Sequence, residues 1–212
     1  MRRFVIGLLI VAAVLAGVDV GGRVWGGLWV GDRVREALGL SRRPSVSFGG
    51  VLFTPQVVSG HITSTTLQSE NVVIGGVPFS SARLSLRNVT FRPGDLILHH
   101  RGRIDVEGGA GVFGMTAPDL EEALRAHGQD VWVRFSGEQV RLSGEGFQGE
   151  TMSATPSLEG ADLVISGTFS EPVRFRLPAL GQGIQYGGVV VAGDEILVSV
   201  RVTRARIAAR VT

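Results

Sequence analysis

The stretch Met115–His127, MTAPDLEEALRAH, decides how the rest of this chain must fold. Thr116 suits the residue that caps the amino terminus of a helix, and Asp119 three residues later resembles a capping box. One apolar face repeats at helical spacing and comprises Leu120, Ala123, Leu124 and His127. Gly128 follows at the position where glycine ends many helices. These features predict an amphipathic helix over residues 116–127.

Strand-like alternation dominates the chain from Ser45 onward. In residues 196–203, for example, every second residue is Ile or Val, and the phase slips near Asn88 as it does at a β-bulge. Strands with one apolar and one polar face belong to antiparallel sheets that are covered on one side. The sequence therefore predicts a mainly β fold of the α+β class. Residues 45–212 are expected to form a curved antiparallel sheet wrapped around the 116–127 helix.

Residues 1–20 have the pattern of a membrane or signal helix. Arg2 and Arg3 precede an apolar run from Phe4 to Val18. Positive charge ahead of an apolar run predicts a cytoplasmic amino terminus and an extracytoplasmic remainder. We expect either an uncleaved signal anchor, which would tether the chain to the membrane, or a cleaved signal peptide. In both cases the protein would lie in the cell envelope, on the outer side of the cytoplasmic membrane.

Residues 21–44 are predicted to form an amphipathic helical linker. Its many glycines weaken a helix in water, so this region is expected to be frayed or hinged. Trp25 and Trp29 lie one helical turn apart. They would be placed either at the outer membrane interface, where such rings concentrate, or buried against the domain.

The composition and motifs exclude several classes of function. The chain has no cysteine, and all 21 of its basic residues are arginine, with a formal net charge of only +2 that is no evidence for nucleic acid. Residues 109–114 match G-x-G-x-x-G, but the helix begins only at Thr116, which argues against a dinucleotide-binding turn. The histidines and acids lack metal-ligand or triad spacing. We expect no enzyme activity, no cofactor and no metal.

Arginines cluster in two regions of the strand-rich part of the chain. They are Arg83, Arg87, Arg92, Arg101 and Arg103 in the first region and Arg201, Arg204, Arg206 and Arg210 in the second. One interpretation is that they lie on solvated outer faces in cross-strand ion pairs. The other is a rim that attracts anions such as lipid headgroups. The headgroup candidates are Arg83, Arg87, Arg103 and Arg201.

Several stretches resemble the LmeA-like phospholipid-binding family of actinobacterial cell-envelope proteins. They are residues 44–60 (PSVSFGGVLFTPQVVSG), 72–76 (VVIGG), 116–124 (TAPDLEEAL) and the closing hairpin 188–203. The resemblance covers nearly the whole chain and implies an envelope protein that binds phospholipid, especially anionic types. It also implies a role in the maturation of envelope glycolipids, and it offers no catalytic motif to carry over.

The number of one-sided strands exceeds what one short helix can cover. We therefore expect an apolar groove between sheet and helix that takes up or shuttles lipid. The candidate lining residues are Phe113, Met115, Leu120, Leu124, Val133, Phe135 and Leu142. The alternative is a membrane-tethered structural or protein-interaction domain whose sheet closes on itself and holds no lipid.

Overall fold

The computed structural model describes residues 19, 21–32, 35, 42–50, 52–98, 101–144, 150–169, 171–180 and 182–210. Within these residues the chain forms two antiparallel sheets and a few helices, which confirms the mainly β prediction. The predicted signal segment lies outside the described residues apart from Asp19. In the described part of the chain, no helix combines the length and the apolar character that crossing a membrane requires.

The larger sheet has six strands. They are β1 (Ser45–Gly49), β2 (His61–Ile74), β3 (Val77–Phe91), β4 (Arg101–Thr116), β10 (Ile184–Ala192) and β11 (Glu195–Arg210). Their order is β1-β2-β3-β4-β11-β10, and each pair of neighbours is antiparallel. The long strands β3, β4 and β11 form the centre of the sheet.

The smaller sheet is a five-stranded meander. It consists of β5 (Trp132–Ser136), β6 (Gln139–Ser143), β7 (Met152–Glu159), β8 (Asp162–Gly167) and β9 (Val173–Arg176), in that order. The prediction of one curved sheet is therefore wrong in this respect, because the described strands fall into two open sheets. The chain begins a separate meander after the central helix, and only β10 and β11 return to pair beside β4.

Four helical segments are described. They are α1 (residues 21–32), α2 (Phe53–Ser59), α3 (Pro93–Leu98) and α4 (Ala117–Ala126). The helix predicted over residues 116–127 is α4, and its capping is confirmed. The Asp119 carboxylate accepts hydrogen bonds from the backbone N–H of Thr116 at 2.8 Å and from its hydroxyl at 2.6 Å. His127 differs from the prediction, because it is exposed at the helix end and does not extend the buried face.

The main core lies between the two sheets, with α4 packed against β3, β4 and β5. Leu120 and Leu124 of α4 belong to one cluster there with Ile196 and Val198 of β11 and Leu142 of β6. A second cluster fills the same face of the larger sheet beneath α2. It contains Phe48, Phe53, Ile62, Val89, Val106, Val202 and Ala205. We call this covered face the inner face of the six-stranded sheet, and the opposite one its outer face.

The strand pairing of the larger sheet is interrupted at one level, without a change in register. The pairing skips Glu107 of β4 on both sides, and its neighbours Asn88 and Arg204 adopt positive φ angles of 51° and 42°. The Asn88 amide donates a hydrogen bond of 2.8 Å to the Glu107 carboxylate. The phase slip predicted near Asn88 is confirmed, because Leu86 and Val89, three residues apart, both face the core. The slip is no β-bulge, since the register is the same on both sides of Asn88.

Asp19 ties the amino-terminal region to the domain. Its Oδ1 accepts hydrogen bonds from the backbone N–H groups of Phe53 (2.6 Å) and Thr54 (2.7 Å) at the start of α2. Arg23 donates to the other carboxylate oxygen at 3.3 Å. Because the first N–H groups of a helix have no partner within the helix, a carboxylate from elsewhere is a favourable cap.

The glycines of α1 form its contact surface with the domain. A Cβ added at Gly27 would lie 2.6 Å from the carbonyl oxygen of Val46, and one at Gly31 would lie 2.7 Å from that of Pro44. Only glycine permits so close an approach of the two backbones. The sequence predicted a frayed or hinged helix, and this backbone contact with the domain was not predicted.

Replacing Asp19 by asparagine should flatten the acid side of the pH–stability profile. The hydrogen bond from the Thr54 N–H, followed by that from Phe53, holds the pKa of Asp19 below its ordinary value of 3.8 despite burial. A carboxyl group with a lowered folded-state pKa stabilises the fold above its ordinary pKa, and this contribution is lost as the pH falls through the folded-state value. Thermal melting of the full chain in detergent, followed by circular dichroism from about pH 5 to pH 3, measures the effect.

The matched control for Asp19 is Asp32→Asn, because Asp32 pairs with Arg43 at 2.6 Å on the exposed side of the helix. We expect this control to retain most of the acid-dependent loss of the natural chain. Identical profiles for the natural chain and Asp19→Asn would show that the cap contributes nothing to stability.

Candidate functional site

The apolar side chains predicted to bind lipid come together in the main core. They are Phe113, Met115, Leu120, Leu124, Val133, Phe135 and Leu142. Phe135 is partly exposed, and the other six are buried between the sheets and α4. In this packing they fill the protein interior. Their part in lipid binding stays a prediction, since binding there would require the core to open.

The arginines predicted to bind a headgroup lie on the other face of the same sheet. On β11, exposed Arg201 alternates with the buried residues Val200 and Val202, so its side chain points away from the core. Arg83 and Arg87 of β3 share this outer face through the strand register. The structure therefore separates the predicted headgroup residues from the predicted acyl-chain residues by the thickness of a sheet.

Three of the four arginines surround one small residue. Ala110 of β4 pairs with Ser85 on one side and with Arg201 on the other. Arg83 and Arg87 flank Ser85 on β3, each roughly 7 Å along the strand. Arg201 stands two strands away, at about 10 Å. Long arginine side chains at these corners can meet above Ala110.

The fourth candidate, Arg103, does not join this triangle. It lies on β4 opposite Ala208, on the far side of the interrupted pairing at Glu107. Its exposed side chain is also on the outer face, but several residues further along the strand.

Two cavities lie along the outer face and meet at Val112. The first, of about 540 Å³, reaches Arg83 and Leu197. The second, of about 720 Å³, reaches Arg87 and Arg201. Both volumes are in the range of small-molecule sites. We call the depression that they form the arginine trough. Its floor is the outward side of β4, where the residues Gly108, Ala110 and Gly114 are small.

Positive charge dominates both cavities. The first is lined by Arg42, Arg43 and Arg83 with Glu70 as its one acid, and the second by Arg87, Arg201 and Arg204 with Glu107. Glu70 lies 3.9 Å from Arg42, and Asp32, outside the lining, lies 2.6 Å from Arg43. Glu107 accepts the hydrogen bond from Asn88. The acids therefore compensate only part of the charge.

In the part of the chain that the structure describes, some outer arginines are paired with acids, and the three arginines of the triangle are not. Arg206, on the same face, lies 2.8 Å from Asp105, and Arg174 on the smaller sheet lies 2.7 Å from Glu159. Within the described residues, no ion pair or hydrogen bond engages Arg83, Arg87 or Arg201. The interpretation of outer-face ion pairs therefore applies to Arg206 and not to these three.

One end of the trough is apolar. Val112, Leu197 and Val190 lie on the outer face, and β11 pairs Leu197 with Val190. Val112 and Val190 are among the exposed large hydrophobic residues. The trough thus joins a cationic centre to an apolar end, which matches the chemistry of an amphiphilic anion.

Two glycines of the motif lie on the inner side of β4, and Gly114 belongs to the floor. Gly109 and Gly111 lie inside antiparallel β4, so residues 109–114 form no strand-to-helix turn, as the sequence predicted. Small residues at alternate positions 108, 110 and 114 were the available signal for the floor. Its position between Arg83, Arg87 and Arg201 could be found only from the register of β3, β4 and β11.

The described residues contain no group of three or more His, Asp or Glu side chains that could hold a metal ion. A family model described as LmeA-like phospholipid-binding matches residues 19–209. Comparisons with curated proteins and with solved structures gave no match.

Proposed function

Since the chain belongs to the LmeA-like phospholipid-binding family, we propose that it binds anionic phospholipid in the arginine trough. The observation that carries this proposal is the triangle of Arg83, Arg87 and Arg201 around Ala110, in which the guanidinium groups lack acidic partners among the described residues. Guanidinium groups bind phosphate oxygens through paired, charge-assisted hydrogen bonds.

The lipid would lie along β4 in this proposal. Its phosphate sits above Ala110, and its acyl chains leave toward Val112 and Leu197 at the apolar end. Strands rise about 3.3 Å per residue, so Leu197, which is level with Gly114, lies roughly 13 Å from Ala110. That length accommodates only part of an acyl chain, and the remainder would stay in a membrane or against a further surface.

We place the headgroup on the outer face because the inner face is occupied. Met115, Leu120, Leu124 and Leu142 are fully buried against one another and the two sheets. Inserting a lipid there would require separation of packed side chains, whereas the trough already has open volume. The rival function, a tethered interaction domain without lipid, predicts no saturable lipid binding at either place.

We further propose a non-enzymatic role on the extracytoplasmic side of the membrane. The charge and apolar run of residues 1–18 support the location. A tethered protein with an open lipid site is suited to carry single lipids over short distances and so to supply the maturation of envelope glycolipids. Transfer of fluorescent phosphatidylglycerol between vesicle populations by the full chain tests this shuttling role.

Replacing Arg83 and Arg201 singly by glutamine should weaken binding of anionic lipid by about tenfold or more each. A hydrogen bond between charged groups contributes roughly 1.5–3 kcal/mol, and 1.4 kcal/mol is a tenfold change in affinity. The measurement is calorimetric titration of the full chain in nonionic detergent with soluble short-chain phosphatidylglycerol. Binding should weaken with added salt and should be poor for short-chain phosphatidylcholine.

The matched control for the triangle is Arg206→Gln. Arg206 lies on the same outer face but is paired with Asp105, so its loss should leave the affinity nearly unchanged. If phosphatidylglycerol does not saturate the natural chain, or if Arg206→Gln weakens binding as much as Arg201→Gln, the trough is not the headgroup site.

A further inference from the structure

The outward side of α1 is an exposed apolar surface. It consists of Val24, Trp25, Leu28 and Trp29, whose exposed fractions are 61%, 69%, 47% and 40%. These positions are spaced i, i+1, i+4 and i+5, so they lie together on one side of a helix. We call this set the α1 apolar face. Large apolar side chains grouped in this way mark a surface that contacts a membrane or another protein.

The α1 apolar face cannot turn inward, because the other side of the helix is occupied. The added-Cβ distances at Gly27 and Gly31 leave no room between α1 and the backbone ahead of and within β1. Val30 packs against the second core cluster, and Asp19 caps α2. The orientation of α1 on the domain is therefore held by contacts at several points along it.

We infer that the α1 apolar face docks into the interfacial layer of a phospholipid bilayer, with the helix lying in the plane of the membrane. Tryptophan is enriched at that depth, since its ring combines an apolar body with an N–H donor. In the described part of the chain, no helix is long and apolar enough to span a bilayer, and an amphipathic helix can lie about 5–10 Å into the headgroup boundary.

The neighbouring sequence identifies the bilayer as the occupant. The apolar run from Phe4 to Val18, preceded by Arg2 and Arg3, ends directly before Asp19. A chain whose preceding segment enters a membrane holds the next helix at the membrane surface. A second copy of the chain or a protein partner has no comparable support, and each is an outcome of the test below.

Docking through α1 would also set the distance of the trough from the membrane. α1 contacts β1, and β1 lies two strands from β3, which carries Arg83 and Arg87. Two strand spacings are about 10 Å. The inference itself rests on α1 and its contacts alone, so it stands or falls independently of lipid binding in the trough.

The test uses the intrinsic fluorescence of the full chain. The protein has three tryptophans, and Trp132→Phe leaves only Trp25 and Trp29 as reporters. This variant is reconstituted into vesicles of equal parts phosphatidylcholine and phosphatidylglycerol. We expect blue-shifted emission, protection from acrylamide, and stronger quenching by lipids brominated near the headgroup end of the acyl chain than by lipids brominated near its tip.

A pair of exposed valines supplies the control. Val24→Ser, in the Trp132→Phe background, should shift the emission toward longer wavelength, because Val24 lies on the α1 apolar face. Val73→Ser should not, although Val73 is similarly exposed on β2, at 60% against 61%. Circular dichroism checks that both variants are folded.

Two results would overturn the inference. Water-like emission with full acrylamide quenching would place the tryptophans outside the membrane. Protection from acrylamide without quenching by either brominated lipid would show that protein, either a second copy or a partner, covers the α1 apolar face.

Discussion

Replacing Leu124 by alanine should lower the free energy of unfolding by about 2–5 kcal/mol, the range for truncating a large side chain in a packed core. Leu124 is 0% exposed and lies on α4 between the two sheets, where Leu120, Met115 and Leu142 belong to the same cluster. The surrounding strands cannot move far enough to fill the volume of the removed side chain, so a cavity remains. Denaturant unfolding followed by circular dichroism measures the loss.

Two further substitutions make the Leu124 result specific. Leu124→Met keeps the volume and should cost less than about 1.5 kcal/mol, while Leu124→Trp should destabilise by overpacking. Leu52→Ala removes a leucine that is 53% exposed and should have little effect. A Leu124→Trp variant as stable as the natural chain but unable to bind lipid would show that the core opens to form the lipid groove.

The place of Leu124 could be predicted because its evidence is local. A capping threonine, Asp119 and an apolar repeat together define α4 within a dozen residues, and the structure confirms each part except the buried role of His127. His127 is the last residue of the repeat, where the chain already leaves the helix. The apolar repeat cannot show where the backbone leaves the helix, because it records only the spacing of apolar residues.

The division into two sheets could not be predicted in the same way. Alternation in residues 131–143 and 196–203 indicates strands with one apolar side, but it does not say which strands are neighbours. β11 pairs with β4, about 90 residues earlier in the chain, and not with the meander of β5–β9. Such pairing depends on contacts between distant segments, which have no local signal.

The candidate site, too, could be predicted only in part from the sequence. Arg83, Arg87 and Arg201 could be chosen as anion-binding candidates from their clustering, and the register places them around Ala110. The apolar candidates were chosen from alternation on other strands, and alternation assigns a face only relative to its own strand. The opposition of the two groups across one sheet therefore appears only in the tertiary structure.

The role of the glycines of α1 is a third feature that the sequence alone did not predict. Helix propensity predicts a weak helix wherever glycine recurs, because propensity describes an isolated helix in water. Here Gly27 and Gly31 permit backbone contact with the residues around β1, so tertiary packing stabilises what propensity disfavours. The spacing of these glycines reflects backbone packing, which could be recognised only once β1 was known to be the partner.

Replacing Ala110 by glutamate should strongly weaken lipid binding while leaving the fold intact. Ala110 is exposed at the centre of the arginine triangle, so the new carboxylate would pair with Arg201 or Arg87 in place of a phosphate. Charges about 4 Å apart near a protein surface interact by roughly 1–4 kcal/mol, which corresponds to a loss of affinity of about fivefold to nearly a thousandfold. Cross-strand pairs of opposite charge add stability, so melting should be unchanged or slightly raised.

Ala110→Gln is the control, since glutamine has nearly the size of glutamate without its charge. Titration with short-chain phosphatidylglycerol should show much weaker binding by Ala110→Glu than by Ala110→Gln. Ala110→Glu should therefore lower lipid affinity and keep stability, whereas Leu124→Ala should lower stability. The difference is expected because Ala110 lies on the outer face and Leu124 in the core. An Ala110→Glu variant that binds phosphatidylglycerol like the natural chain would exclude the trough and return the headgroup to another surface.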